Sequence, residues 1–281
     1  MQSQITIEYP VDVSGIGIHQ GRETHLRMLP AAPDSGIRFV RVDLDGRPEV
    51  RVCPQAMRST EGASVLAGDG FVVVTVEHCL AAVAGFGIDN LTIELDGDEP
   101  PTGDGSARVY ARALRQAGRV EQPAEKRHIV VRERIFHGDD ARHAYVEPHD
   151  GLRLTCTIDF AHPVIGRQSL ALDIDEETFA HELADARTFG FLKDRERHRA
   201  IGVGKGAVFA NTIVLDDARV LNAEGLRYAD EFVRHKLLDG LGDIAALGGR
   251  LRGHLVMHRS GHDVMRGLVQ KIAEALTPSP A

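Results

Sequence analysis

The chain has few cysteines, and their spacing limits what they can do. Cys53, Cys79 and Cys156 are the only three among 281 residues, and no two of them form a Cys-x-x-Cys pair. Disulfide frameworks and cysteine-rich structural zinc sites need paired, closely spaced cysteines, so this set argues against both. We therefore expect three reduced cysteines in a cytoplasmic protein.

Long apolar runs and a surplus of basic residues are also missing. No apolar run reaches the roughly 18–20 residues that span a bilayer, and the first eight residues do not resemble a signal peptide. The net charge is −8, with basic residues scattered among acidic ones, which argues against nucleic acid as a partner. The composition, with 43% hydrophobic and 26% charged residues, is typical of a globular protein. Nothing in it indicates an oligomer.

One stretch carries a polar stripe of unusual composition. Residues 231–247 have the period of a helix, and His235, Asp239 and Asp243 follow one another at intervals of four residues. Side chains one turn apart on a helix lie about 5–6 Å apart at Cβ, close enough to bind one metal ion. A surface stripe with an ion pair at i and i+4 is the alternative that the helix alone leaves open.

A second polar point, Glu77-His78, lies far upstream. A hydrolytic zinc site needs three protein ligands, an open position for water, and a nearby carboxylate that takes the proton of that water. His78, His235 and Asp239 supply a ligand set of this kind, and Glu77 is placed to act as the base. His262 is a candidate general acid for a leaving amine.

Hydrophobic periodicity predicts a mixture of strands and helices. Strands are predicted at residues 4–9, 23–28, 36–42, 71–75, 91–95, 128–135, 143–147, 152–158, 213–220 and 252–258. Helices are predicted at residues 77–84, 104–117, 175–186, 229–248 and 262–276. Strands and helices do not alternate regularly, so an α+β fold is favoured over a doubly wound sheet.

The polar stretch at residues 121–127 lacks periodicity and is predicted to link two domains, residues 1–120 and 128–281. Each half contains strands followed by a long helix, which indicates a weak internal duplication of pattern. The helix at residues 77–84 is apolar on almost every side after His78, so we expect it to be buried.

Two local motifs need interpretation. Thr75 is predicted to cap the helix that begins at residue 76 or 77. Gly15-Ile-Gly17 could suggest a dinucleotide site, but no third glycine and no helix follow in place, so a turn between strands is favoured.

Several segments together resemble one known enzyme family. They are Thr75–His78, Gly87–Asn90, Asp104–Ser106, Asp159–Pro163, Ala186–Phe191, Arg219–Asn222, Glu231–Asp239 and Ser260–His262. In this order they are similar to UDP-3-O-acyl-N-acetylglucosamine deacetylase, the zinc amidase of lipid A biosynthesis. The resemblance implies two similar α+β domains, each a layered unit of β-sheet and helix, packed face to face around the metal.

The resemblance also implies roles for the polar residues. Zinc would be held by His78, His235 and Asp239, with Glu77 as general base and His262 as general acid. The reaction would be hydrolysis of the N-acetyl amide of UDP-3-O-acyl-N-acetylglucosamine, with release of acetate.

The remaining implied roles concern the transition state and the substrate. Lys236 and Thr188 would stabilise the oxyanion, and Asp243 would orient His262. The positions implied to contact the UDP-amino sugar are Phe160, Phe189 and Asp194.

The region that would hold the fatty acyl chain departs from the family pattern. Arg195 and His198 stand where apolar residues are usual, and Glu61 lies in a segment that is apolar in the family. An acidic side chain beside an alkyl chain is unfavourable unless it is paired, and Arg195 or Arg197 could pair with Glu61 and close the passage. The alternative is that these side chains point outward.

Three other functions therefore stay open at the level of the sequence. They are a zinc deacetylase with altered or lost acyl specificity, a binding protein for nucleotide sugars, and a structural zinc protein. The sequence also leaves open whether the metal in the cell is zinc or iron.

Overall fold

The computed structural model describes residues 2–60 and 62–276. Up to residue 125 the elements are β1 (Ser3–Ile7), β2 (Val11–Ile16), β3 (Glu23–Pro30), β4 (Ile37–Arg41), β5 (Glu49–Arg51), β6 (Met57–Thr60), β7 (Ala63–Ala67), β8 (Val72–Val74), α1 (Glu77–Gly85), β9 (Leu91–Leu95), α2 (Arg108–Ala117) and β10 (Arg119–Glu125). From residue 128 they are β11 (His128–Val130), β12 (Ile135–Gly138), β13 (His143–Glu147), β14 (Leu152–Phe160), β15 (Gly166–Asp173), α3 (Glu176–Thr178), β16 (Phe189–Phe191), α4 (Arg195–Ala200), β17 (Ile213–Leu215), α5 (Glu231–Ala245), β18 (Arg250–His258) and α6 (His262–Leu276). The fold is α+β, as the sequence predicts.

The strands form five sheets, and each sheet draws its strands from one half of the chain. The first half contains a five-stranded sheet in the order β2-β3-β9-β4-β5, a three-stranded sheet β6-β7-β8, and the pair β1-β10. The second half contains a sheet in the order β12-β13-β18-β14-β15, with β11 beside β18, and the pair β16-β17. Across the described residues, therefore, no strand of one half pairs with a strand of the other.

The predicted linker is mostly a strand. Residues 121–125 belong to β10, which pairs antiparallel with β1 over the register Gln4↔Gln122 to Ile7↔Arg119. Residues 121–125 are therefore in regular structure, although their sequence shows no strand periodicity. The division into domains 1–120 and 128–281 stays a prediction, which the segregation of the sheets supports.

Helices α1 and α5 pack against each other, and both are largely buried. In α1 every residue except Ala84 is buried, as its apolar sequence predicts. The two helices approach closely at Gly242, where a Cβ atom would lie only 2.0 Å from the carbonyl oxygen of Glu77. A side chain at this position would therefore separate the helices.

The start of α1 differs from the prediction. Thr75 does not cap the helix: the N-cap residue is Val76, and no side chain bonds to the helix start. The Thr75 hydroxyl instead donates to Glu99 at 2.7 Å, and Thr75 has a φ of 55°, which is unfavourable for a β-branched residue. The buried Glu99 carboxylate holds this strained turn directly before Glu77.

Most of the other elements lie close to their predicted positions, but several differ. The strand predicted at residues 128–135 is two strands, β11 and β12, and the helix predicted from residue 104 begins at Arg108. The helix predicted at residues 175–186 is the short α3 followed by a π-helical turn at Phe179–Leu183. The strand predicted at residues 213–220 ends at Leu215. Gly15 lies in β2, and Gly17 begins the turn that joins β2 to β3, as the turn interpretation predicts.

Candidate metal centre

Three side chains from α1 and α5 converge at the contact between the helices. The Nε2 atoms of His78 and His235 lie 3.4 Å and 3.3 Å from Oδ1 of Asp239, and one ligand atom of each residue lies within 4.8 Å of the others. The two imidazole rings are 5.0 Å apart at an angle of 87°. All three residues are buried. The structure thus brings together the three ligands predicted from the sequence.

The atoms at the centre of this cluster lack ordinary partners. Oδ1 of Asp239 is buried and accepts no hydrogen bond from the described residues. Nδ1 of His235 lies 3.1 Å from the carbonyl oxygen of Ala186, an acceptor only, so Nδ1 carries the hydrogen and Nε2 carries the lone pair. Burial lowers the pKa of His235 to about 3, so the ring is neutral. A lone pair facing a carboxylate oxygen is repulsive unless a cation lies between them, and the donor set therefore fits a metal ion.

Lys236 holds the other oxygen of Asp239. Its ammonium group donates to Oδ2 at 2.6 Å, which leaves Oδ1 directed at the two imidazoles. Burial lowers the pKa of Lys236, but the Asp239 carboxylate outweighs burial and raises it overall. Burial also raises the pKa of Asp239. The neighbouring side chains of His235 and Lys236 outweigh burial and bring this pKa well below its ordinary value. Both groups are therefore charged at neutral pH.

Glu77 precedes the ligand His78 and is also buried. Its Oε2 atom accepts a hydrogen bond from the backbone N–H of Ser64 at 3.0 Å, and within the described part of the chain no bond engages Oε1. Burial raises the pKa of Glu77. A cation beside it would act in the opposite direction. The carboxylate has one oxygen fixed and one available.

His262 and Asp243 form a buried pair, and Ser64 contacts both of them as well as Glu77. Nδ1 of His262 lies 3.1 Å and 3.0 Å from the two oxygens of Asp243, and the hydroxyl of Ser64 donates to Oδ1 of Asp243. Burial lowers the pKa of His262, but the Asp243 carboxylate outweighs it and raises the pKa to about 9. The imidazole is therefore protonated at neutral pH, as a general acid must be.

Aromatic rings lie beside the cluster. The Phe189 ring is 6.3 Å from the His235 ring, the ammonium of Lys236 lies 5.8 Å from the centre of Phe189, and Phe160 contacts Phe189 at 5.7 Å. Thr188 is half-buried, with its N–H bonded to the carbonyl of Gly105. Its hydroxyl has no hydrogen-bond partner among residues 2–60 and 62–276. The side chains of Phe160, Phe189 and Lys236 form one wall next to the candidate ligands. Among the described residues, no contact joins Thr188 to the cluster.

Asp194 lies apart from this wall. It precedes α4 on the segment after Phe191, and its carboxylate is 3.9 Å from Arg197. The structure shows no contact between Asp194 and the residues of the cluster. Its predicted contact with substrate stays a prediction.

The predicted closure of the acyl passage falls partly on a residue that lies outside the described part of the chain, Glu61. Arg195 is exposed and His198 is half-buried. Four large apolar side chains of the same region are exposed: Leu192, Ile201, Val208 and Phe209. Whether Arg195 or Arg197 closes the passage therefore stays a prediction.

Ser64 belongs to this site, although no sequence pattern indicates it. A single serine in a strand has no periodicity and matches no motif, so only the fold shows that it touches both Glu77 and Asp243.

Comparison with known proteins places the chain in a family. A sequence model of the UDP-3-O-acyl N-acetylglycosamine deacetylase family (LpxC) matches residues 4–274. The chain belongs to the LpxC family. Members of this family are metalloenzymes that hydrolyse an amide, which agrees with the His78, His235 and Asp239 cluster.

Relatives of the LpxC family match over nearly the whole length. The UDP-3-O-acyl-N-acetylglucosamine deacetylase of Bdellovibrio bacteriovorus is 48% identical over 98% of this chain and 91% of its own length. The proteins of the same name from Myxococcus xanthus and Chromobacterium violaceum are 42% and 41% identical, each over 96% of this chain and over 86% and 90% of their own lengths. The described helices include none long and apolar enough to cross a membrane.

Proposed function

We propose that this protein hydrolyses the N-acetyl amide of UDP-3-O-acyl-N-acetylglucosamine, releasing acetate in lipid A biosynthesis. His78, His235 and Asp239 would hold a zinc ion. The observation that carries this proposal is the buried Oδ1 of Asp239, which has no hydrogen bond and faces the imidazole nitrogens of two histidines. Two histidines and one carboxylate are a ligand set typical of zinc enzymes that keep one position open.

When bound, zinc supplies Lewis acidity toward the amide carbonyl and makes water a nucleophile near neutral pH. Glu77 would take the proton from the attacking water through Oε1. Its other oxygen is held by the Ser64 amide, so the carboxylate keeps one orientation. Burial raises the pKa of Glu77, which makes it a stronger base.

His262 would give a proton to the departing glucosamine nitrogen. Its Nδ1 atom is engaged by Asp243, so Nε2 is the atom that can reach the substrate. A pKa of about 9 keeps this proton available at neutral pH. The acid is therefore in its active protonation state at neutral pH.

Lys236 and Thr188 would stabilise the negative charge that develops on the carbonyl oxygen. Lys236 is a half-buried cation that donates to the candidate ligand Asp239, and the Thr188 hydroxyl is free of protein partners in the described chain. Donors fixed in place before the reaction typically contribute about 10²–10³-fold to kcat. Phe160 and Phe189 would contact the substrate beside them.

We also propose a cytoplasmic location. The three cysteines are free thiols, which suits a reducing compartment.

Acetate release from zinc-loaded protein tests the function. We expect turnover of UDP-3-O-acyl-N-acetylglucosamine with a long acyl chain, a slower rate with a short chain, and the slowest rate without one. Glu77→Gln should keep its zinc and lose turnover. Glu274→Gln, at an exposed position on α6, is the matched control and should behave as the wild type.

Equal turnover without the acyl chain would instead favour a deacetylase that acts on another UDP-amino sugar. A zinc-loaded protein that releases no acetate from any of these compounds would refute the proposed function.

A further inference from the structure

One buried serine touches both proton-transfer groups of the candidate site. Ser64 lies on β7, the central strand of the sheet β6-β7-β8, and is only 2% exposed. Its N–H donates to Oε2 of Glu77 at 3.0 Å, and its hydroxyl donates to Oδ1 of Asp243 at 2.5 Å. The same hydroxyl oxygen lies 3.2 Å from Nδ1 of His262.

The hydroxyl and the Asp243 carboxylate both require a hydrogen on Nδ1 of His262. A serine hydroxyl has one proton, and here the Asp243 carboxylate, which can only accept, takes it. Toward Nδ1 of His262 the oxygen can therefore act only as an acceptor, so Nδ1 must carry the hydrogen that it shares with Asp243. Nε2 is then the atom that faces the substrate.

The backbone of Ser64 is fixed independently of its side chain. Its carbonyl oxygen accepts a hydrogen bond from Val76, the residue immediately before Glu77. The strand, the turn before α1 and the Glu77 carboxylate are thus tied to one residue. Asp243, on α5, is tied to the same residue through the hydroxyl.

We infer that Ser64 is a positioning residue that sets the general base Glu77 and the general acid His262 at a fixed separation on either side of the reacting amide. It acts on Glu77 through its N–H and on His262 through Asp243. The inference rests on the deacetylase function proposed above.

The hydroxyl can be removed without removing the N–H. In Ser64→Ala the bond to Glu77 remains and the bond to Asp243 is lost, so the orientation of His262 becomes less defined. Because hydrogen bonds to charged groups are strong, we expect kcat to fall about 10- to 100-fold with KM and zinc content unchanged. Ser64→Thr keeps the hydroxyl and should retain most of the wild-type kcat.

Two comparisons separate positioning from a merely structural role. Ser169→Ala removes one hydroxyl that bonds to Thr157 on the neighbouring strand, and it should leave kcat unchanged. In a double-mutant cycle, adding Ser64→Ala to the Asp243→Asn variant should not lower kcat further, because both side chains act through the same imidazole. Circular dichroism and Tm establish that every variant is folded.

A folded, zinc-loaded Ser64→Ala variant with the wild-type kcat would overturn the inference. A double variant whose loss of kcat equals the product of the losses in Ser64→Ala and Asp243→Asn would also overturn it. The low-field proton resonance of His262 Nδ1 is a readout that does not need turnover. It should be present in the wild type and in Ser64→Thr, and shifted or lost in Ser64→Ala. If the wild type is inactive but the His262 resonance is shifted or lost in Ser64→Ala, the proposed function fails. The inference that Ser64 positions His262 then still holds.

Discussion

Replacing Asp243 with Asn should move the alkaline limit of activity by more than two pH units. In the wild type the Asp243 carboxylate raises the pKa of His262 to about 9, against an ordinary histidine value of about 6.5. The difference, about 2.5 units, corresponds to roughly 3 kcal/mol of preference for the protonated ring. Asparagine removes the largest of the charges that raise the pKa while burial continues to lower it, so the ring should titrate much closer to its ordinary value of about 6.5.

The consequence for activity follows from the protonated fraction. At pH 7.5 a group with a pKa of about 9 is about 97% protonated, whereas one with a pKa of about 6.5 is about 9% protonated. Loss of the acid should therefore reduce kcat/KM about tenfold at this pH, with recovery toward pH 6. Acetate release measured between pH 5.5 and 10 gives the profile of kcat/KM, which reports the free enzyme.

The same shift affects stability with a defined sign. A folded pKa raised above the unfolded value stabilises the protein fully below about pH 6.5, and this contribution is lost as the pH rises through about 9. Wild type and Asp243→Asn should thus differ more in Tm at pH 6 than at pH 10. If Asp243→Asn retains an alkaline limit near pH 9, the pairing of His262 with Asp243 does not control the acid, and the reasoning is wrong.

Three other substitutions have distinct expected results. Asp239→Ala should abolish stoichiometric zinc binding, as measured by metal analysis after dialysis, because it removes a ligand and leaves the Lys236 cation beside the histidines; full zinc occupancy would contradict the ligand set. Lys236→Met should lower kcat about 10²–10³-fold in the acetate assay while zinc stays bound, and an unchanged kcat would exclude it from oxyanion stabilisation. Gly242→Ala should lower the free energy of unfolding by about 1–3 kcal/mol or more in urea titrations, because its Cβ would lie 2.0 Å from the Glu77 carbonyl oxygen; a wild-type midpoint would mean that α1 and α5 separate at little cost.

The two helices that hold the ligands could be predicted from the sequence because their signals are local. The polar stripe of α5 repeats every four residues, and α1 is apolar on all sides after His78. The ligands at His235 and Asp239 follow from that spacing, whereas their meeting with His78 depends on how α1 packs, for which the sequence offered only the family resemblance.

Other features could not be predicted from the sequence because they depend on contacts between residues far apart in the chain. β10 contains Pro123 and is mostly exposed, since β1 is its one partner among the described strands. It therefore lacks the alternation of a half-buried strand. Threonine is a common helix cap, but the Thr75 hydroxyl donates its hydrogen bond to Glu99, which is distant in sequence. A glycine such as Gly242 is unfavourable within a helix by about 1 kcal/mol, and only the packing of α1 explains it.

The three candidate metal ligands come from both halves of the chain: His78 lies on α1, and His235 and Asp239 lie on α5. Neither half alone holds a complete ligand set, so the ion would bridge two pieces of structure whose strands do not pair with each other in the described chain. Metal affinity and the association of the halves are then thermodynamically linked. At a free metal concentration 100 times its Kd, binding would stabilise the folded chain by about 2.7 kcal/mol. A chelator would act on this protein as a mild denaturant directed at the contact between α1 and α5.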